Sequence, residues 1–134
     1  MFDPNALTPM PADAIDRTEF RNVAVPIARL ADLLLDAGRK PELNGVRFID
    51  CAIRGPAVIL PSVDTQFRDS NLGQVHGEIR NLFLRAAGPM VTGAIALHGC
   101  VFENCVFLGV GIAGDDAFVD GFVAQLSGAK GGAA

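Results

Sequence analysis

The segment GVGIAG, Gly109 to Gly114, has the G-x-G-x-x-G spacing with which a glycine-rich turn seats a dinucleotide pyrophosphate. That chemistry needs a strand before the turn, a helix after it, and a second parallel strand with an acidic residue about 20 positions on. Asp115 and Asp116 instead put two carboxylates where the phosphates would lie, and AKGGAA stands where the second strand should begin. The thiols are Cys51, Cys100 and Cys105. Their spacing lacks the close pairs of a zinc site, so they are expected to pack as small apolar residues, unreactive in an apolar interior. His76 and His98 each precede a glycine and are expected in turns rather than as ligands or bases. The best acid–base group is His76, Glu78 and Asp69 near one loop. Nothing brings a nucleophile to it, because Ser62 and Ser70 lie outside any G-x-S-x-G turn. The expectation is a non-enzyme with no catalytic residue, cofactor or bound metal.

The elements that must position these residues are of three kinds. Residues 1–18 hold Pro4, Pro9 and Pro11 among small and polar side chains and read as a flexible arm. EFRNVAVPI then supplies a short strand with Phe20, Val23 and Val25 as its core residues. Pro26 stops that strand and serves as the first residue of a helix over about 26–37. Ile27, Leu30, Ala31 and Leu34 recur there at helical spacing, Leu33 and Ala37 widen the stripe, and Gly38 closes the helix. DDAFVDGFVAQLSG predicts a second helix over about 116–127, capped by Asp115 or Asp116. Phe118, Phe122 and Leu126, with Val119 and Val123, form its apolar face. Residues 129–134 read as a loose tail, leaving 19–128 as a single domain.

Between the helices the period is five. VRFID, CAIRG and PAVIL run from 46 to 60, TQFRD and SNLGQ from 65 to 74, and IALHG, CVFEN, CVFLG and VGIAG from 95 to 114. The third residue of each group is bulky and apolar: Phe48, Ile53, Val58, Phe67, Leu72, Leu97, Phe102, Phe107 and Ile112. The first is usually small or β-branched: Val46, Cys51, Thr65, Ser70, Ile95, Cys100, Cys105 and Val110, with Pro56 the odd one. Arg47, Arg54, Arg68, Asp69, Glu103 and Asn104 fall on the solvent side of this pattern.

The pattern resembles the pentapeptide-repeat proteins, most specifically in CVFEN-CVFLG. The resemblance implies a right-handed β-helix in which four units make one square turn, both slots point inward, and successive turns stack about 4.8 Å apart. The expected fold class is thus mainly β: a short right-handed parallel β-helix over about 46–114, with an N-terminal and a C-terminal helix packed against it. The helices would cover the open ends of the coil. Breaks at 61–64 and 75–94 make the coil irregular, with loops near 61–64 and 86–89. An antiparallel roll is the alternative, since alternation within each five also suits hairpins.

A chain of 134 residues supports one domain. The formal charge of −4 and the scattered basic residues argue against direct nucleic-acid binding. No apolar run approaches the roughly 18 residues of a membrane span. The N-terminus lacks the basic and apolar regions of a signal peptide, and the odd cysteine count suits reduced thiols in the cytoplasm. GPAVILP, 55–61, is the candidate interaction surface, with Pro56, Ala57, Ile59 and Pro61 as a contact strip for another subunit. The function expected is a non-catalytic scaffold or protein-interaction module, as a homo-oligomer or with a protein partner. Two alternatives accompany it. One is an acidic DNA mimic that binds a topoisomerase, as some pentapeptide-repeat proteins do. The other is a carbohydrate-active or other enzyme using the loop at 75–94, with Asp69 and Glu78 as converging carboxylates.

Overall fold

The computed structural model describes residues 6–73 and 78–128, the last three as backbone only. In chain order the elements are β1 (Thr8–Pro9), β2 (Glu19–Arg21), β3 (Val23–Pro26), α1 (Ile27–Asp36), β4 (Glu42–Asn44), β5 (Arg47–Ile49), β6 (Ala52–Pro61), β7 (Gln66–Arg68), β8 (Phe83–Arg85), β9 (Ile95–His98), β10 (Val101–Glu103), β11 (Val106–Gly114) and α2 (Asp116–Gly128). The strands form two sheets. One has the order β2-β5-β10-β7. The other runs β1-β3-β6-β11-β8, with β9 pairing both β4 and the C-terminal end of β6. Every strand pair among the described residues is parallel. The protein is therefore mainly β with parallel sheets and two helices, and it is not an antiparallel roll.

Parallel pairing in register lays equivalent positions of the fives side by side. Phe20, Phe48, Phe102 and Phe67 make one row across β2, β5, β10 and β7. Their rings stack nearly face to face, with centroids 5.2, 4.7 and 5.2 Å apart. Val25, Ile53 and Phe107 make a second row across β3, β6 and β11. A third runs Ile95, Ile59, Ile112, Phe83. Asn22, Asp50, Asp69 and Asn104 occupy the left-handed region, with φ of 55, 55, 49 and 53°, and Gly45 and Gly99 do the same at 65 and 62°. Each stands immediately before a small residue (Val23, Cys51, Ser70, Cys105, Val46 or Cys100) and turns the chain from one strand to the next. Asn, Asp and Gly are the residues that adopt this conformation at least cost.

The rows do not follow chain order, as successive turns of a uniform coil would. β10 and β11 lie between β5 and β6 on one side and β7 and β8 on the other, although all four precede them in the chain. Electrostatics favours this interleaving. The left-handed corners then run Asn22, Asp50, Asn104, Asp69, so an amide separates the two carboxylates. Asn104 Nδ2 donates to Asp50 Oδ1 at 2.6 Å. Stacking in chain order would put Asp50 beside Asp69, two like charges at one strand spacing. The Glu103 carboxylate likewise lies 3.9 Å from the Arg68 guanidinium of the neighbouring strand.

Two expectations need correction. Residues 8–16 are not a loose arm: β1 pairs with β3, and both the amide and the hydroxyl of Thr8 donate to the Asn22 carbonyl, at 2.9 and 3.0 Å. Ala14 is buried, and Arg39 reaches the Ile15 carbonyl and the Asp16 carboxylate. The arm is held because it completes the pairing of an edge strand. Second, PAVIL is out of phase by one residue. Ile59, not Val58, is fully buried. β6 carries one extra residue where Gly55 and the cis-bonded Pro56 oppose Gly109 alone, a β-bulge in the pairing with β11. A Cβ on Gly55 would run into the Gly109 carbonyl, so the backbones meet there only because residue 55 has no side chain.

The helices close the core. α1 buries Ile27, Leu30, Ala31 and Leu34. It ends in a Schellman turn: Gly38 N–H donates to the Leu35 carbonyl and Arg39 N–H to the Leu34 carbonyl, at 2.9 and 2.8 Å, with Gly38 at φ 78°. Asp115 caps α2 by accepting from Phe118 N–H at 2.8 Å. The Phe122 ring then packs on Phe67 and Phe83, and Arg85 holds Asp116 and Asp120 at 3.0 and 2.7 Å. Among the described residues no helix is long and apolar enough to cross a membrane.

Candidate functional site

The bulge at Gly55–Pro56 turns Pro56 outward, leaving it exposed and Ala57 and Val58 half-buried. Beside them runs α1, where exposed Ala28 and buried Ala31 are too small to fill the space and Leu35 is 53% exposed. The loop leading into β9 forms the third wall. Together these enclose an apolar groove of about 240 Å³ in which Asp32 is the one charged lining residue. Of the expected contact strip, Pro56 and Ala57 face this groove. Ile59 and Pro61 do not: both are buried, because the bulge shifts the phase of β6 and sets them against β9 and the interior. Sequence reasoning missed the helical half of the surface. The available signal was the pair Ala28 and Ala31, small residues three apart, Ala31 within the apolar stripe and Ala28 at its edge.

A second cavity, of about 370 Å³, lies between the 14–18 turn, the end of α1 and β4, floored by Phe20, Leu34 and Leu43. Two of its cations are paired: Arg17 with Asp13 at 2.9 Å and Arg39 with Asp16 at 2.8 Å.

The side chains with intrinsic chemistry join one strand to the next. The thiols of Cys51 and Cys105 donate to the Phe20 and Phe48 carbonyls at 3.4 and 3.3 Å, and the Ser70 hydroxyl donates to the Phe102 carbonyl at 3.2 Å. At the other corner Cys100 donates to the Leu43 carbonyl at 3.5 Å and Thr65 to the Leu97 carbonyl at 3.3 Å. All three cysteines are free and buried. Burial pushes the Cys100 thiol up, and the adjacent Cys51 thiol together with burial holds Cys105 far above the ordinary thiol range. A thiol so placed is a poor nucleophile.

GVGIAG is not a dinucleotide-binding turn. After Gly109, which bends the strand at φ 73° opposite the β6 bulge, it is the extended end of β11, paired with β6 and β8, with Val110 and Ile112 buried. His98 sits at the Gly99 corner, its Nε2 3.6 Å from the Glu42 carboxylate. Asp69 turns the chain at its own corner, beside Asn104. Glu78 caps the 3-10 turn over 79–82: it accepts from Arg80 N–H at 3.1 Å and from the Arg80 guanidinium at 3.0 and 2.8 Å. These hydrogen bonds, led by the guanidinium, lower its carboxyl to about 2. His76 lies outside the described residues. Ser62 is hydrogen-bonded to Asp64 in the tight turn before β7, where its hydroxyl also receives Gly99 N–H at 3.2 Å. Among the described residues no group of three or more His, Cys, Asp or Glu is placed to hold a metal ion. No protein-family model, curated protein or solved structure matches the chain.

Proposed function

We propose that the chain is a short right-handed β-helix of pentapeptide-like units, with one turn inserted between two earlier ones, and that it acts as a non-catalytic, self-associating scaffold in the cytoplasm. The β-helix reading is supported by the in-register rows of Phe and Ile and by left-handed corners recurring at the five-residue spacing. The scaffold reading is supported by the thiols and hydroxyls of the small slot, which bond strand to strand.

The observation that carries self-association is the apolar groove between α1 and the Pro56–Val58 edge of β6, lined by small side chains with Leu35 standing at its rim. A second copy presenting the same Leu35 and Pro56 surface would make a self-complementary contact. The outward charges of the β2-β5-β10-β7 sheet mix signs, Glu19 lying against Arg21 and Arg47 and Glu103 near Arg68, which lends the DNA-mimic alternative no support.

Sedimentation equilibrium of the full chain tests the proposal, with Ala57→Glu as the variant. The expected result is a discrete dimer or larger closed assembly for the parent chain. A fall toward monomer is expected for Ala57→Glu, whose thermal unfolding at low concentration stays close to that of the parent. A parent chain that remains monomeric at high concentration refutes self-association.

A further inference from the structure

We infer that residues 95–128 form an exchangeable segment, able to complete the core of a second copy of this chain as it completes its own, by a contact separate from the groove. β10 and β11 fill a slot whose two walls, β5 with β6 and β7 with β8, belong entirely to residues 47–85. Each wall presents a row of inward side chains with no direct strand partner across the gap until the segment arrives: Phe48 faces Phe67 only through Phe102, and Ile59 faces Phe83 only through Ile112. The slot recognises the segment by features any copy carries. These are the Phe102 ring between two others, the Glu103 carboxylate near Arg68, and Asn104 Nδ2 on Asp50.

One stretch, residues 86–94, tethers the segment to its own slot. It contains no strand, and Ala87 to Met90, Thr92 and Gly93 are exposed. From β8 it must travel back across β11 and β6, because Phe83, Ile112, Ile59 and Ile95 stand side by side in that order. Three strand spacings are about 14 Å. The ten Cα steps from Arg85 to Ile95 reach about 33–36 Å at full extension, so the tether is slack and the closed monomer forms freely. Deletion of residues 87–92 leaves four steps, about 14 Å at most, which is too short once the detour round β11 is included. The segment then reaches only the slot of another copy.

Two experiments on the full chain test this. The 87–92 deletion is combined with Ala57→Glu, so that association through the groove is removed and only exchange is left. Light scattering is expected to give a folded species of twice the chain mass. A folded monomer, or no folded protein at all, overturns the inference. Second, Phe48→Asp damages the slot and Phe102→Asp damages the segment. Each chain alone is expected to stay unfolded by far-UV circular dichroism. Refolded together, they should give a heterodimer with one intact half and about half the parent signal, since the Phe102→Asp chain offers a sound slot and the Phe48→Asp chain a sound segment. A mixture no more structured than its separate components overturns exchange. Failure of these tests with a parent chain that still associates through the groove leaves the scaffold proposal standing.

Discussion

An asparagine at a left-handed corner does two things here: it accepts the backbone conformation, and it sets a neutral amide between carboxylates. Asn104 shows both, at φ 53° and 2.6 Å from Asp50. Asn104→Asp keeps the conformational tolerance and removes the amide, so three acidic corners run in succession from Asp50 to Asp69. A loss of about 1–2 kcal/mol is expected, the scale of a charge-assisted hydrogen bond replaced by repulsion. Urea denaturation measures it, and an unchanged midpoint would show that the corners do not sense one another. At this scale the small and bulky slots were legible, because burial forces them to be apolar and of fixed size. The corner residues were not. Asn, Asp and Gly are common on any surface, and their role emerges only from the backbone angle that each adopts.

Elements whose determinants are local could be read closely, as α1 shows. Its expected span of 26–37 is met by Ile27–Asp36, because the stripe of Ile27, Leu30, Ala31 and Leu34 and the Gly38 turn lie within the helix and its end. β6 could not be read in the same way. Its phase depends on the pairing with β11, where Gly55 and Pro56 together stand opposite Gly109, more than fifty residues away in sequence. The contact strip failed at Ile59 and Pro61 for the same reason. The middle of the Phe row and its α2 end differ in support, and mutation should show it. Phe102 has a ring stacked on either side and is fully buried, so Phe102→Ala is expected to cost about 3–5 kcal/mol. Phe122 reaches the end of the row from α2 and is half-buried, so Phe122→Ala should cost less, about 1–3 kcal/mol. Equal losses would mean that α2 is as much a part of the core as the strands are.

For the molecule as a whole, chain order and spatial order disagree, and no local pattern reveals it: either arrangement gives an unbroken row of four phenylalanines. β7 and β8 pair with β10 and β11 and with no other named strand, so the first half of the fold cannot recruit them by itself. Hydrogen exchange should therefore show the amides of β7 and β8 opening together with those of β10 and β11, in one cooperative step. Earlier exchange in β7 and β8 alone would contradict that coupling. The same order has a consequence for biosynthesis. Translation delivers Arg85 before Gly114, 29 residues later. At about 5–20 residues per second, β8 waits about 1.5–6 s for the strand that joins it to the rest. Through that interval the nascent chain presents the open edges of β5 and β6, with β7 and β8 still unpaired. In a polysome, neighbouring ribosomes carry identical nascent chains, and the first complete 95–128 segment to arrive need not belong to the chain it closes.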